Sequence, residues 1–391
     1  MNKFLHKDFE NTGEFILPDY LGDVKKVLYS SAKAIPSGKF VSDGEMHLSG
    51  IVCYDVLYCD SENKLTRYET TSDYDVSVAV DSLQYVDSLA EIRVASFAIR
   101  PTGPRKFSAK SSLALSVNVS QTDSFACTGN AFEEGRTPEK LTEKIKCESC
   151  VFGTSGEREY AELAEHVMAT SSENIEVITS SGAVRITEST PVDGGVAVKG
   201  EIIITAIIKT DEQPPFAIKK NIPFEETVTI ENMPAEAQTF ADGYLTSVNA
   251  FVTDDEEGHA ITVNAIAEFY AASAYNSEAE IMCDAYLEDY ETDGRYSDME
   301  YNRLVYMGTD DGSFTLECER KDIDAENIRD ILFMSFDIRK TEKKVCKDGV
   351  EISGEAVFSG VACEINDDST LSYVPLKFNM PFVYNVNNSC Q

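Results

Sequence analysis

Ten cysteines and four histidines are the side chains of this 391-residue chain best suited to metal, redox or nucleophilic chemistry. Cys147-Glu-Ser-Cys150 has the spacing of a redox dithiol or of half a zinc site. A zinc site needs two more ligands, and the sequence has no second Cys-x-x-Cys and no histidine pair. A thioredoxin-type dithiol needs a βαβ setting, which is also missing. Ordinary cysteines or an adventitious disulfide is the plainer reading. His6, His47, His166 and His259 lie far apart and fit no metal or triad motif. The acidic clusters Asp254-Asp-Glu-Glu257 and Asp310-Asp311-Gly312 could hold Ca²⁺, but neither has the alternating spacing of an EF-hand loop. Solvated hairpin turns account for them better. No glycine-rich phosphate loop occurs, and no carboxylate pair stands out from 68 acids. The sequence therefore assigns no catalytic, cofactor-binding or metal-binding residue and implies no cofactor.

The elements around these residues are set by composition and period. Hydrophobic residues make up 42% and charged residues 26%, as in a folded protein with a large core. The formal charge of −34 disfavours nucleic acid and anionic membrane as partners. No stretch approaches 18 apolar residues, and Met1 to Glu10 lacks the apolar run of a signal peptide, so synthesis and retention in the cytoplasm are expected. The cysteines share no repeat positions apart from Cys127 and Cys283, which argues against a repeated disulfide framework and for buried, reduced thiols.

One pattern recurs three times. Leu28-Tyr-Ser-Ser-Ala, Ile178-Thr-Ser-Ser-Gly and Leu332-Phe-Met-Ser-Phe each precede an Asp-Gly pair (Asp43-Gly44, Asp193-Gly194, Asp348-Gly349) and then a second glycine. The step from the first apolar residue to that second glycine (Gly50, Gly200, Gly354) is 22 residues in every copy. A constant step means a tandem array of like units. The segments around the second glycines alternate or are continuously apolar, so each copy reads as strand, tight turn and long strand. A further strand ends in an aromatic residue: Tyr74, Phe224 or Phe382. The second glycines are expected where a neighbouring backbone or a bend leaves no room for a side chain. Trailing blocks (Ile92–Phe97 with Phe107–Val119; Leu245–Phe251 with Ala260–Ala272) and leading blocks (Phe125–Gly153; Ile281–Gly308) lie between the cores.

The expected fold is all-β: tandem, closely packed β-sandwich or barrel-like units with few short helices, placed at Glu139–Ile145, Glu157–Val167 and Ala325–Ile331. The expected divisions are an N-terminal arm (1–15) and three units (16–120, 121–275, 276–391), the third truncated on its C-terminal side. An incomplete last unit leaves an open edge, and the apolar arm (Phe4, Leu5, Phe9, Phe15) could fill that edge in the next subunit. The competing reading folds the arm back onto its own chain. Cys390, near the C-terminus, is the candidate for crosslinking subunits.

Ile16-Leu-Pro-Asp-Tyr-Leu-Gly-Asp-Val-Lys-Lys-Val-Leu28 resembles the opening motif of the SPOCS domain family, repeated in SipL-type spore coat morphogenesis proteins. Gly200-Glu201 and Gly354-Glu355 match the family's Gly-Glu step, Gly50-Ile51 departs from it, and Cys283-Asp-Ala-Tyr286 resembles its Asp-Ala-Tyr segment. SipL-type proteins end in a peptidoglycan-binding LysM module, which residues 1–391 lack, so a LysM-dependent role does not carry over. The resemblance implies a structural or assembly protein of the spore envelope, made in the mother cell and deposited on the spore, with itself or other spore coat proteins as partners. A monomeric adaptor for one sporulation protein is the second reading. A β-sandwich hydrolase or carbohydrate-active protein is the third.

Overall fold

The computed structural model describes residues 2–80, 86–121, 139–167, 174–210, 215–231, 233–255, 258–286, 315–317, 328–346, 349–366 and 370–387. Its regular elements are all strands, and they form five three-stranded antiparallel sheets. Three are the core sheets foreseen from the repeat. The first has β2 (Val24–Ser42), β3 (Glu45–Asp60) and β4 (Leu65–Ala79). The second has β8 (Ile175–Val192), β9 (Gly195–Thr210) and β10 (Phe216–Thr229). The third has β13 (Ile328–Cys346), β14 (Gly349–Ile365) and β15 (Leu371–Asn387). In each, the long middle strand pairs with both neighbours.

The other two sheets are covers. β1 (Asn2–Ile16), β6 (Lys106–Gln121) and β5 (Val86–Gly103) cover the first core. β11 (Gln238–Asp255), β12 (Gly258–Tyr286) and β7 (Glu139–Val167) cover the second. Side chains alternate along a strand, so each core sheet has two distinct faces. Met46, Leu48, Val52 and Tyr54 pack against Ala109, Leu113, Leu115 and Val117 in the first unit. Val196, Val198, Ile202 and Ile204 meet Val263, Ala265, Ala267 and Phe269 in the second. Burying one such side chain fully contributes about 1.5–3 kcal/mol, so these two layers carry much of the stability.

The repeat glycines and aromatics pair across the sheet. Gly50 lies opposite Tyr74, Gly200 opposite Phe224 and Gly354 opposite Phe382. Each ring lies over the bare glycine. A Cβ built on Gly50, Gly200 or Gly354 would come within 2.6 Å of Tyr74 Cζ, 2.8 Å of Phe224 Cζ or 2.9 Å of Phe382 Cζ. The first strand of each core is also irregular beside the glycine, with register shifts at Pro36/Gly38, Ile186/Glu188 and Arg339/Glu342. The Asp-Gly turns are less uniform than their sequence. Asp43 and Gly44 both have positive φ (52° and 79°), as a two-residue hairpin turn requires, and Gly194 follows at 78°. In the third copy Gly349 is already in β14, paired with Cys346.

The expected helices are corrected. The segments 139–145 and 157–167 are not helices. Both belong to β7, which pairs with β12 from end to end. Their helix-forming Glu, Lys and Ala residues yield to this pairing, in which Tyr160 and Ala164 pack against the second core. In the third expected helix, Ile328–Ile331 is strand, while 325–327 lie outside the described residues. The arm lies within its own unit. As β1 it pairs with β6 from Asn2↔Ser120 to Ile16↔Lys106. Leu5, Phe9 and Phe15 pack into the first core, with Phe9 6.0 Å from Tyr74 and Phe15 5.7 Å from Tyr54. Phe4 pairs with Asn118 in the same ladder. In this chain the arm's apolar side chains are used inside its own unit, as the fold-back reading has it.

Candidate functional site

The apolar residue that opens each repeat is the extra residue of a β-bulge. Register skips Leu28 between Val27 and Tyr29, Ile178 between Val177 and Thr179, and Leu332 between Ile331 and Phe333. A bulge re-aims a side chain, and these three turn to one place. Leu28, Ile178 and Leu332 share a buried cluster with Leu57, Ile207 and Val361, which lie seven residues past the second glycine in each copy. Cys59, Leu65 and Cys363 complete it. Around this seam the core sheets close a ring: β4 touches β8, β10 touches β13, and β15 returns to β2. The faces turned away from the covers therefore look at one another across a pseudo-threefold axis.

Past the seam the ring opens into a cavity of about 1110 Å³. Equivalent rows of the three sheets line it. The polar row is Ser31–Asp55–Glu69 in the first unit, Ser181–Thr205–Lys219 in the second and Ser335–Ser359–Lys377 in the third. Arg67 sets the charge on the first wall, with Nε 3.0 Å from Asp55 and Nη2 2.7 Å from Glu69. Burial raises the Asp55 pKa, and Arg67 pulls it back. Burial and Glu69 push the Cys53 thiol up to about 12. Lys33 donates to the Leu245 carbonyl, and burial lowers its pKa. Tyr29 shares a hydrogen bond of 3.2 Å with Ser335 and packs edge-on to Phe333 at 4.8 Å, joining the first unit to the third. Arg339 of the third unit stands 6.0 Å from the Phe97 ring of the first and pairs with Asp337 at 2.9 Å. These groups tie units together, and their chemistry suits holding a polar ligand or segment better than proton transfer.

The residues with apparent catalytic chemistry are not brought together. Cys147 and Cys150 stand three positions apart on β7, so their side chains point to opposite faces and cannot share one metal ion. His6 lies on β1, 3.1 Å from Asp8, and His47 on β3 stacks on Phe40 at 4.8 Å. His166 and His259 occupy the neighbouring strands β7 and β12. Among the described residues no three His, Cys, Asp or Glu side chains gather as a metal site. Asp255 pairs with Gly258 across a hairpin, whereas Glu256, Glu257 and the 310–312 cluster lie outside the described residues.

The cysteine reading needs two corrections. Cys59 and Cys363 do occupy matching repeat positions, each nine residues after the second glycine, and both are buried in the seam. Counting from the glycine would have found them. Buried thiols are also the minority among the described cysteines: Cys53, Cys147, Cys150 and Cys283 are half-buried and Cys346 is exposed. Cys127, Cys318 and Cys390 lie outside the described residues.

The seam and covers give a pH expectation. Burial first of all pushes Cys363 to about 11, Tyr373 and Tyr58 to about 12, and Tyr74 to about 12, from ordinary values of 9.0 for cysteine and 10.0 for tyrosine. The folded pKa values are raised, so the stability these groups add is present below their unfolded values and is lost as pH rises through the folded ones. Denaturant midpoints should hold to about pH 9 and fall steeply between about 9 and 12. A flat midpoint across that window would show that these groups are hydrated.

Residues 175–253 match the family model described as SipL, SPOCS domain. The matched segment holds the second core sheet and nearly all of β11. Searches of the curated proteins and of the solved structures give no match.

Proposed function

We propose that this protein is a non-enzymatic structural or assembly component of the spore envelope, of the coat or a layer associated with the exosporium. The SPOCS match ties the chain to sporulation. The observation that carries the structural reading is the closed ring: three like cores spend their inner faces on one another and on a shared apolar seam. Such an arrangement builds a rigid block and leaves its outer surface for contacts. The chain has no helix long and apolar enough to cross a membrane among the described residues. On the envelope reading, a fluorescent fusion expressed during sporulation should accumulate around the forespore and stay on released spores. Diffuse signal in the mother cell throughout sporulation would sink the envelope reading. The second reading, a monomeric adaptor for one sporulation protein, is favoured by the polar cavity on the axis, which is large enough for a peptide segment or loop. Negative-stain images separate the two, because an assembly protein gives ordered multimers and an adaptor gives single small particles.

A further inference from the structure

The three cores present equivalent rows to the axial cavity, and the charges along those rows do not balance. Asp55, Thr205 and Ser359 each lie five residues past the second glycine of their copy. Their partners on the third strand of each sheet are Glu69, Lys219 and Lys377, and all three line the cavity. Glu69 is held by Arg67 at 2.7 Å. Lys219 and Lys377 are exposed and make no hydrogen bond or ion pair among the described residues. The other cations of the lining have protein partners. Arg67 also holds Asp55, Arg339 pairs with Asp337, and Lys33 donates to the Leu245 carbonyl. The lining therefore carries five cations against three carboxylates, inside a chain whose net charge is −34. A walled cleft with an excess of one sign focuses its field on the opposite charge. The acidic outer surface interferes little, because at physiological salt exposed charges are screened beyond about 8 Å.

We propose that the axial cavity binds an acidic peptide segment, whose carboxylates pair with Lys219 and Lys377. This rests on the adaptor reading above and names the chemistry of its partner. Three observations select such a ligand. The two lysines come from different units, so a ligand with several carboxylates along its length satisfies both. The cavity, about 1110 Å³, exceeds the roughly 300–1,000 Å³ of small-molecule pockets, which favours a chain segment over a small free acid. The two arginines of the lining, whose forks suit phosphate, are already on carboxylates, and what remains is a pair of single-point ammonium donors. Thr205 and Ser359 stand beside the lysines in register, and their hydroxyls can donate to carboxylate or peptide oxygens.

The test uses the full chain and a fluorescein-labelled peptide of alternating Glu and Ser. Fluorescence anisotropy should show saturable binding that weakens as salt is added. A Gln-Ser peptide of the same length should bind about tenfold more weakly or worse. The double variant Lys219→Glu, Lys377→Glu should lose the Glu-Ser peptide to a similar degree, because attraction becomes repulsion at both contacts. Both side chains are exposed, so circular dichroism should find the variant folded. Lys140→Glu with Lys343→Glu, two exposed lysines outside the cavity, changes the net charge equally and should leave binding intact. If the Gln-Ser peptide binds as tightly as Glu-Ser, the adaptor reading stands and the acidic partner is wrong. If the double variant in the cavity binds as the wild type does, the site lies elsewhere and the proposal fails. If neither peptide binds but citrate raises the melting temperature of the wild type and not of the double variant, the ligand is a small acid, and the peptide partner falls with the adaptor reading. If neither the peptides nor citrate bind, the cavity is not an anion site.

Discussion

Gly200→Ala is expected to destabilise the protein by about 3 kcal/mol, far beyond an ordinary surface substitution. The cause is contact from two sides. The new Cβ would run into the backbone carbonyl of Arg185 on β8 and come 2.8 Å from Phe224 Cζ on β10. A backbone oxygen held in a ladder cannot step aside, and the ring is wedged against Phe269, 4.5 Å away between centroids. Gly50→Ala should behave alike, since its Cβ would meet the Ile35 carbonyl and the ring of Tyr74. Gly354→Ala should cost less, because its nearest backbone atom, the Arg339 carbonyl oxygen, is 3.1 Å away. Gly103→Ala is the control, with its closest neighbour 4.0 Å from the new Cβ. Urea midpoints measure all four. Equal midpoints for Gly200→Ala and Gly103→Ala would show that the repeat glycines are not there to make room.

Val361→Asp should have a larger effect, about 4 kcal/mol or more. Val361 is 0% exposed in the seam where the three cores meet, among Leu28, Leu57, Ile178 and Ile207. A carboxylate there faces aliphatic side chains from two other units. The damage should reach beyond the third unit. Hydrogen exchange should quicken in β3 and β9 as well as in β14, because all three strands contribute to one cluster. Val361→Ala separates charge from packing and should cost a smaller, cavity-sized amount. Faster exchange confined to β14 would mean that the units are stable independently and that the seam joins them only loosely.

Much of this architecture was legible in the sequence because it depends on local spacing. The 22-residue step located the three core hairpins, since a strand of given length and a tight turn fix how far apart like residues fall. The glycines and the aromatic residues that follow them were visible too, with a step of 24 residues in Gly50–Tyr74 and Gly200–Phe224, but that they face each other comes from the sheet register.

Tertiary structure decided everything that depends on long-range pairing. Residues 139–145 and 157–167 have helix-forming composition, and only the facing ladder of β12 makes them strand. The arm carries four apolar residues that suit any open edge; the edge it fills belongs to β6, about 100 residues later in its own chain. Leu28, Ile178 and Leu332 could be recognised as equivalent, but not as neighbours. Bulges turn them off the regular face, and ring closure brings together side chains that the chain separates by 150 and 154 residues. Sequence by itself determined the unit, because turn and strand preferences act over a few residues. The fold determined how the units share a core, because that is a competition among distant apolar faces for the same partners.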